Sequence, residues 1–149
     1  MNNKHWDISN YLALLTKQQI KENTLFIAIV DGDIEAVKYL IALNLNLDIH
    51  QTGVWTDKGF TPLIIAVESK ETQIVKLLLE AGANPNLSEK DTGGTPLIYA
   101  AITGSLEIIN LLLKFGADRN IRDNYNETAL MKAEKFSNSA AVQFLSKYS

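Results

Sequence analysis

Histidine and cysteine, the side chains that most often carry catalysis or bind metals, are scarce in this chain of 149 residues. It has no cysteine and two histidines, His5 and His50. A serine–histidine–aspartate relay would need one of them held beside a nucleophile, and no pattern around either one indicates this. Tetrahedral metal sites need several histidines or cysteines at set spacings. The sequence therefore predicts no catalytic residue, no metal site and no cofactor.

The triplet Asp91-Thr92-Gly93 superficially matches the catalytic triplet of aspartic proteases. That chemistry requires two carboxylates that share one proton in a buried site. The triplet occurs once here, among charged residues and glycine. We interpret it as a hairpin turn that precedes Thr95.

Composition narrows the class of protein. Hydrophobic residues make up 46% of the chain and charged residues 21%, as is typical of soluble globular proteins. The net charge of −3 argues against a nucleic-acid binder, which usually carries a basic face. No apolar run approaches the length of a membrane span, and no signal peptide is recognisable. We expect a cytoplasmic monomer that binds neither nucleic acid nor membrane.

The chain is organised by an internal repeat. The sequence Thr61-Pro62-Leu63-Ile64 recurs 34 residues later as Thr95-Pro96-Leu97-Ile98, and Thr128-Ala129-Leu130 follows after 33 more. Residues 25–28 match residues 63–66, at the longer spacing of 38. Self-similarity at such a period is the signature of a stacked-repeat architecture.

Each unit predicts an inner helix, a tight turn and an outer helix. Thr61 and Thr95 are suited to cap inner helices, with a proline at the first helical position, where the missing N–H costs nothing. We predict inner helices over 24–30, 62–69 and 96–103, and outer helices over 34–43, 72–81 and 106–115. The predicted units are an N-terminal capping helix over 1–22 and repeats over 23–58, 59–93, 94–125 and 126–149. The last repeat carries charge in place of apolar residues, as a capping repeat should.

Two residues occupy turn positions where other repeats have glycine. Asn44 follows an outer helix where Gly82 and Gly116 stand later, and asparagine is the usual second choice for a left-handed backbone. Lys70 takes the turn position that Gly104 holds in the next repeat. We expect left-handed geometry at both.

This sequence resembles the ankyrin-repeat family, whose unit of about 33 residues carries a Thr-Pro-Leu-His-x-Ala core. The segments Thr61-Pro62-Leu63-Ile64-Ile65-Ala66 and Thr95-Pro96-Leu97-Ile98-Tyr99-Ala100 match it except for the histidine. The segments Ala81-Gly82-Ala83-Asn84-Pro85-Asn86 and Phe115-Gly116-Ala117-Asp118-Arg119-Asn120 match the Gly-Ala-Asp-x-Asn ending of the family. The resemblance implies an all-α solenoid of about four helix-turn-helix repeats with short hairpin loops.

The resemblance also implies where a partner protein binds. Hairpins between the repeats project to one side, and with the exposed edge of the inner helices they form a concave surface. Mapped onto this chain, that surface predicts the following partner-binding residues: Trp55, Phe60, Glu68, Lys90, Tyr99, Ile102, Tyr125, Lys135 and Phe136. Trp55 and Tyr125 are the expected anchors, because tryptophan and tyrosine dominate interface hot spots.

Several assignments have alternatives. Trp55 either presents its ring to a partner or folds back onto the first repeat, and Phe136 either binds or belongs to the capping core. The mapped edge runs from the acidic Asp31 and Glu68 to the basic Lys132 and Lys135, a gradient that would orient a partner.

The expected function is a non-catalytic protein-interaction module. One alternative is a dedicated inhibitor, resembling an immunity protein or antitoxin, that blocks the active site of a partner enzyme. The other is an enzyme, or a regulatory part of one, that uses His50 near Trp55.

Overall fold

The computed structural model describes residues 17–51 and 58–147, with side chains from Ile20 onward in the first helix. Within these ranges the chain forms eight helices and no strand, in four consecutive helix–turn–helix pairs. The helices are α1 (Lys17–Val30), α2 (Ile34–Ala42), α3 (Pro62–Glu68), α4 (Thr72–Glu80), α5 (Pro96–Thr103), α6 (Leu106–Lys114), α7 (Ala129–Lys135) and α8 (Ser139–Ser146). The prediction of an all-α solenoid is confirmed.

The inner helices begin where the threonines predict. The hydroxyl of Thr61 accepts a hydrogen bond from the Ile64 amide at 3.2 Å, and that of Thr95 accepts one from the Ile98 amide at 3.3 Å. A proline follows each of these caps. Each cap satisfies an amide that the helix itself leaves without a partner. The starts of α3 and α5 are therefore fixed within their own repeats.

The turns have the predicted backbone geometry. Asn44 has φ 56° and Lys70 has φ 57°, both in the left-handed region, and Ser137 (φ 58°) fills the same turn position as Lys70 in the last repeat. Lys70 and Ser137 adopt a conformation that costs an ordinary L-residue about 1–2 kcal/mol. The tight turn is thus imposed by the packing of the helix pair rather than by these side chains.

The helix pairs stack in two layers. The inner layer contains α1, α3, α5 and α7, each packed on the next, and the outer layer contains α2, α4, α6 and α8 in the same order. The side chains between them form one apolar core. Its largest fully buried members are Leu25, Ile29, Leu63, Ile64, Ile74, Leu78, Leu97, Ile98, Ile108, Ile109, Leu112 and Leu145. This core supports the inner layer that carries the predicted binding edge.

Polar side chains also link neighbouring repeats, in the loops that follow the outer helices. The Asp48 carboxylate accepts a hydrogen bond from the Asn84 amide at 2.8 Å. One repeat further along, the Asn86 side-chain oxygen accepts one from the Asp118 amide at 2.7 Å. These bonds hold neighbouring repeats in register where the connectors leave the outer helices.

The two ends of the described stack differ from its middle. Helix α1 begins at Lys17 and so continues through the predicted boundary at residue 23, whereas residues 1–16 of the predicted capping helix lie outside the described part. At the other end, Glu134 is exposed at the position that the buried Val67 and Ala101 hold in the preceding repeats. A charge there is tolerated because, within the described residues, no further helix pair covers α7.

Candidate functional site

The inner helices expose two rows of side chains at equivalent positions in successive repeats. Residues three apart on a helix share a face, so each row runs along the stack beside the other. The first row contains Ile27, Ile65, Tyr99 and Lys132, and the second contains Val30, Glu68, Ile102 and Lys135. The exposed fraction changes sharply along these rows. In the first row Ile27 is 52% exposed, whereas Ile65 and Lys132 are each only 8% exposed.

The second hairpin lies in the connector between α4 and α5. It is built around the carboxylate of Glu89, a residue that is 2% exposed. The carboxylate accepts hydrogen bonds from the backbone amides of Asp91 (2.6 Å), Thr92 (2.8 Å) and Gly94 (3.0 Å), and from the Thr92 hydroxyl. Burial opposes ionisation, but the bonds from Thr92, Gly94 and Asp91 outweigh it and lower the pKa of Glu89. The charged carboxylate thus holds the turn that presents Lys90 and its neighbours.

Hydrogen bonds join the hairpins side by side. The Gln51 amide donates to the Phe60 carbonyl at 2.8 Å and joins the two described ends of the first connector. The Lys90 amide donates to the Lys58 carbonyl at 3.1 Å and ties the second hairpin to the first. The Asn124 amide donates to the Thr92 carbonyl at 2.8 Å and adds the third. The hairpins therefore present one connected edge, on which Lys90 is exposed.

Phe60 was predicted to lie on the exposed edge, but the structure buries it. It is 5% exposed, and its ring meets that of Tyr99 edge to face, with 5.5 Å between ring centroids. The repeat pattern assigns Phe60 to a hairpin, but the base of that hairpin folds onto α3 and α5, where the ring gains more by burial than by exposure.

Tyr99 is half-buried and fills the space between the second hairpin and Phe60. A Cβ atom added at Gly94 would lie 2.7 Å from Cε2 of its ring, so glycine permits the close approach. Burial raises the pKa of Tyr99 to about 12, and the nearby carboxylates of Glu89 and Glu68 add to this effect. A hydrogen bond with Thr92 acts in the opposite direction but is outweighed. Tyr99 therefore supports the hairpin edge as well as lining the inner face.

The basic end of the predicted charge gradient is neutralised. Lys132 is 8% exposed, and its ammonium group forms ion pairs with Asp123 at 2.7 Å and with Glu127. Lys135 also pairs with Glu127, at 3.1 Å. Burial works against the cation, yet hydrogen bonds to Asp123 and Glu127 raise the pKa of Lys132. Two cations and two carboxylates cancel, so this ion cluster contributes no net charge to the edge.

Tyr125, in the hairpin before the last repeat, and Phe136, in the last repeat, are both exposed, and their contact with a partner stays a prediction. Tyr125 is 67% exposed, and Phe136, which follows α7, is 52% exposed. The ammonium group of Lys132 lies 5.1 Å from the centroid of the Tyr125 ring, a cation–π contact that holds the ring at the hairpin tip. Ile102 is half-buried because its side chain packs against the apolar core. The Asn138 side-chain amide also donates to the Ile102 carbonyl oxygen at 2.7 Å.

Trp55 lies outside the described residues, so its role as an anchor stays a prediction. His50 is described, and its Nε2 atom lies 3.0 Å from the carbonyl oxygen of Ser88. A carbonyl only accepts, so Nε2 carries the proton in this contact. The histidine thus bridges the segments that lead into the first and second hairpins.

Glu89 and Asp123 organise the hairpins through the hydrogen bonds that their carboxylates accept, a role that the sequence-based prediction does not include. Asp123 stands 34 residues after Glu89 and accepts hydrogen bonds from the amides of Tyr125 and Glu127, both at 3.0 Å. Although burial opposes ionisation, the Lys132 contact and these amides lower the pKa of Asp123. A carboxylate at the same repeat position, shortly before the capping threonine, was the signal that would have identified both.

No helix in the described ranges is long and apolar enough to cross a membrane. The same ranges contain no group of three histidine, cysteine, aspartate or glutamate residues placed to hold a metal ion.

Comparison with known proteins agrees with this architecture. A family model described as ankyrin repeats, in three copies, matches residues 1–89 and residues 81–149. An ankyrin repeat protein of Rickettsia bellii (strain RML369-C) is 35% identical over 88 residues, which cover 56% of this chain and 12% of that relative. The chain thus spans a small part of the relative's length. Since the family matches together cover the whole sequence given, the chain belongs to the ankyrin-repeat family.

Proposed function

We propose that this chain is a non-catalytic protein-interaction module that holds a partner protein on its inner face and hairpin edge. Ankyrin repeats generally mediate protein–protein interaction. The observation that carries the proposal is the exposure of large apolar side chains on that surface, while the core between the helices is closed. Val30 (62% exposed), Tyr125 (67%) and Phe136 (52%) gain little by facing water, and such groups tend to mark binding sites.

The non-catalytic part of the proposal is supported by the use made of His50. Its ring donates to a backbone carbonyl between two hairpins, which is a structural task. The proposal also includes a monomeric state and a cytoplasmic location. Size-exclusion chromatography coupled to light scattering tests the first, and imaging of the tagged protein in its own cell tests the second.

Affinity capture from a lysate of the source organism tests partner binding. The wild type is compared with a Tyr125→Ala/Phe136→Ala double variant and with Tyr39→Ala as a matched control. Tyr39 is 66% exposed but lies on the outer helix α2, away from the inner face. We expect a partner, identified by mass spectrometry, to be retained by the wild type and the control and lost by the double variant. Equal capture by all three would contradict the assigned surface.

A Trp55→Ala variant belongs in the same experiment, because its ring is the other predicted anchor. Loss of the same partner, with an unchanged circular dichroism spectrum and melting temperature, would support that assignment. Unchanged capture would remove Trp55 from the binding surface.

A further inference from the structure

A groove lies on the inner face between α1 and α3, beside the base of the first hairpin. Its volume is about 440 Å³, within the range of roughly 300–1,000 Å³ that binding pockets usually have. The apolar part of its lining consists of Phe26, Ile27, Val30, Phe60 and Ile65. The groove is therefore large enough for an aromatic or branched aliphatic side chain.

The groove has a floor of buried apolar residues and a side formed by exposed ones. Phe26 and Phe60 are 4% and 5% exposed, so the floor is already packed. Ile27 and Val30 are 52% and 62% exposed, and they stand three residues apart on α1. Covering them would remove apolar surface from water without rearranging the floor, which is the favourable case for binding.

The charged part of the lining is acidic. Asp31 and Glu68 line the groove, and no lysine or arginine does so among the described residues. Neither carboxylate takes part in an ion pair within those residues. The charged side chains that line the groove are therefore both acidic, and Lys58, which lies over the Phe60 ring, is a nearby cation that partly offsets them.

The surroundings of Glu68 also favour the binding of a cation beside it. Burial raises the pKa of Glu68, the charge of Glu89 adds to this effect, and the charge of Lys58 opposes it. Lys58 itself is placed over the Phe60 ring, with 5.5 Å between its ammonium nitrogen and the ring centroid. A cation brought to the rim by a partner would stabilise the ionised form of Glu68.

We propose, resting on the protein-binding function above, that this groove binds a segment of a partner protein in which an apolar residue stands next to lysine or arginine. The apolar side chain covers Ile27 and Val30, and the neighbouring cation pairs with Glu68 and Asp31. Charge complementarity selects this occupant. At the opposite end of the inner face Asp123 and Glu127 are already paired with lysines, whereas Glu68 and Asp31 are in no ion pair within the described residues, so the groove end favours a basic segment.

Selection of phage-displayed random peptides on the full chain tests this proposal. We expect enriched peptides in which leucine, isoleucine, methionine or phenylalanine stands beside lysine or arginine. A fluorescent synthetic copy of the enriched sequence then gives dissociation constants. Its affinity should fall as salt is added, because the contact is partly ionic.

Two groove variants, each with a matched control, assign the contacts. Val30→Ser should weaken the peptide at least about tenfold, through lost apolar burial, whereas Tyr39→Ser should leave it unchanged. Glu68→Gln should weaken it about 3- to 5-fold, the loss of one exposed ion pair. Glu68→Lys should remove the selected basic peptides, whereas Glu134→Lys, the same change in the last turn of another inner helix, should not.

Other outcomes would overturn the proposal. Enriched peptides without basic residues, or binding that is unaffected by Val30→Ser and Glu68→Lys, would remove the groove as their site but leave the interaction function intact. Self-association of the wild type that Val30→Ser abolishes would make a second copy the occupant. Failure to enrich any peptide would overturn the groove proposal. The general interaction function would still be decided separately, by affinity capture with the Tyr125→Ala/Phe136→Ala double variant.

Discussion

Glu89→Gln is expected to lower the free energy of unfolding by about 2–4 kcal/mol at neutral pH. The Glu89 carboxylate receives three backbone amides and one hydroxyl, although its side chain is almost fully buried. Glutamine keeps one accepting oxygen and replaces the other with a donor. If the retained oxygen is the one that faces Gly94, the Asp91 amide loses its partner and the remaining bonds become neutral.

The magnitude follows from those bonds. A hydrogen bond to a charged acceptor contributes about 1.5–3 kcal/mol, and a neutral one about 0.5–1.5 kcal/mol. One lost bond and three weakened ones therefore amount to a few kcal/mol, after allowance for water that reaches the hairpin. Against a typical domain stability of roughly 5–15 kcal/mol, the loss is easily measured.

Urea unfolding followed by far-ultraviolet circular dichroism gives the measurement, with Glu107→Gln as the control. Glu107 is exposed in the first turn of α6, so its replacement should cost less than about 0.5 kcal/mol. The Glu89 variant should also loosen the edge that carries Lys90, and hydrogen exchange of the Asp91, Thr92 and Gly94 amides should accelerate.

The pH dependence provides the sharper test. The pKa of Glu89 is lowered from its ordinary value of 4.5, so its stabilisation is fully present above that pH and is lost as the pH falls through the folded-state pKa. The stability difference between wild type and Glu89→Gln should therefore be large at pH 7 and shrink toward pH 3. A difference below about 0.5 kcal/mol at pH 7, or one that does not change with pH, would refute the reasoning.

Two further substitutions test the turns and the ion cluster. Lys70→Gly should raise the unfolding free energy by about 0.5–1 kcal/mol in urea, because glycine relieves a left-handed residue; a lower value would show that the lysine side chain stabilises the turn. Lys132→Met should lower the free energy of unfolding by about 2–4 kcal/mol at pH 7, because it leaves the buried Asp123 carboxylate without its cation. Lys135→Met, at a side chain 59% exposed, should lower it by less than about 1 kcal/mol. The Lys132 penalty should diminish in acid, where Asp123 is protonated, and an equal effect of both substitutions would contradict a buried role for Lys132.

The sequence by itself determined the local construction of each repeat. The threonine caps, the prolines that follow them and the left-handed residues at Asn44 and Lys70 all act within a few positions along the chain. Their energetics depend on backbone geometry that every repeat shares. For this reason the bounds of α2 to α6, the turns and the resemblance to the family could be predicted, whereas α1 begins at Lys17, seven residues before the predicted start.

The tertiary structure alone decided which side chains remain available to a partner. Phe60 was expected on the exposed edge but packs against Tyr99, and Lys132 lies in an ion cluster rather than extending a charge gradient. Equivalent repeat positions face different neighbours, because each hairpin folds onto the helices beside it. Exposure is therefore a property of contacts between repeats, and the acidic, apolar groove between α1 and α3 exists only once those repeats are stacked.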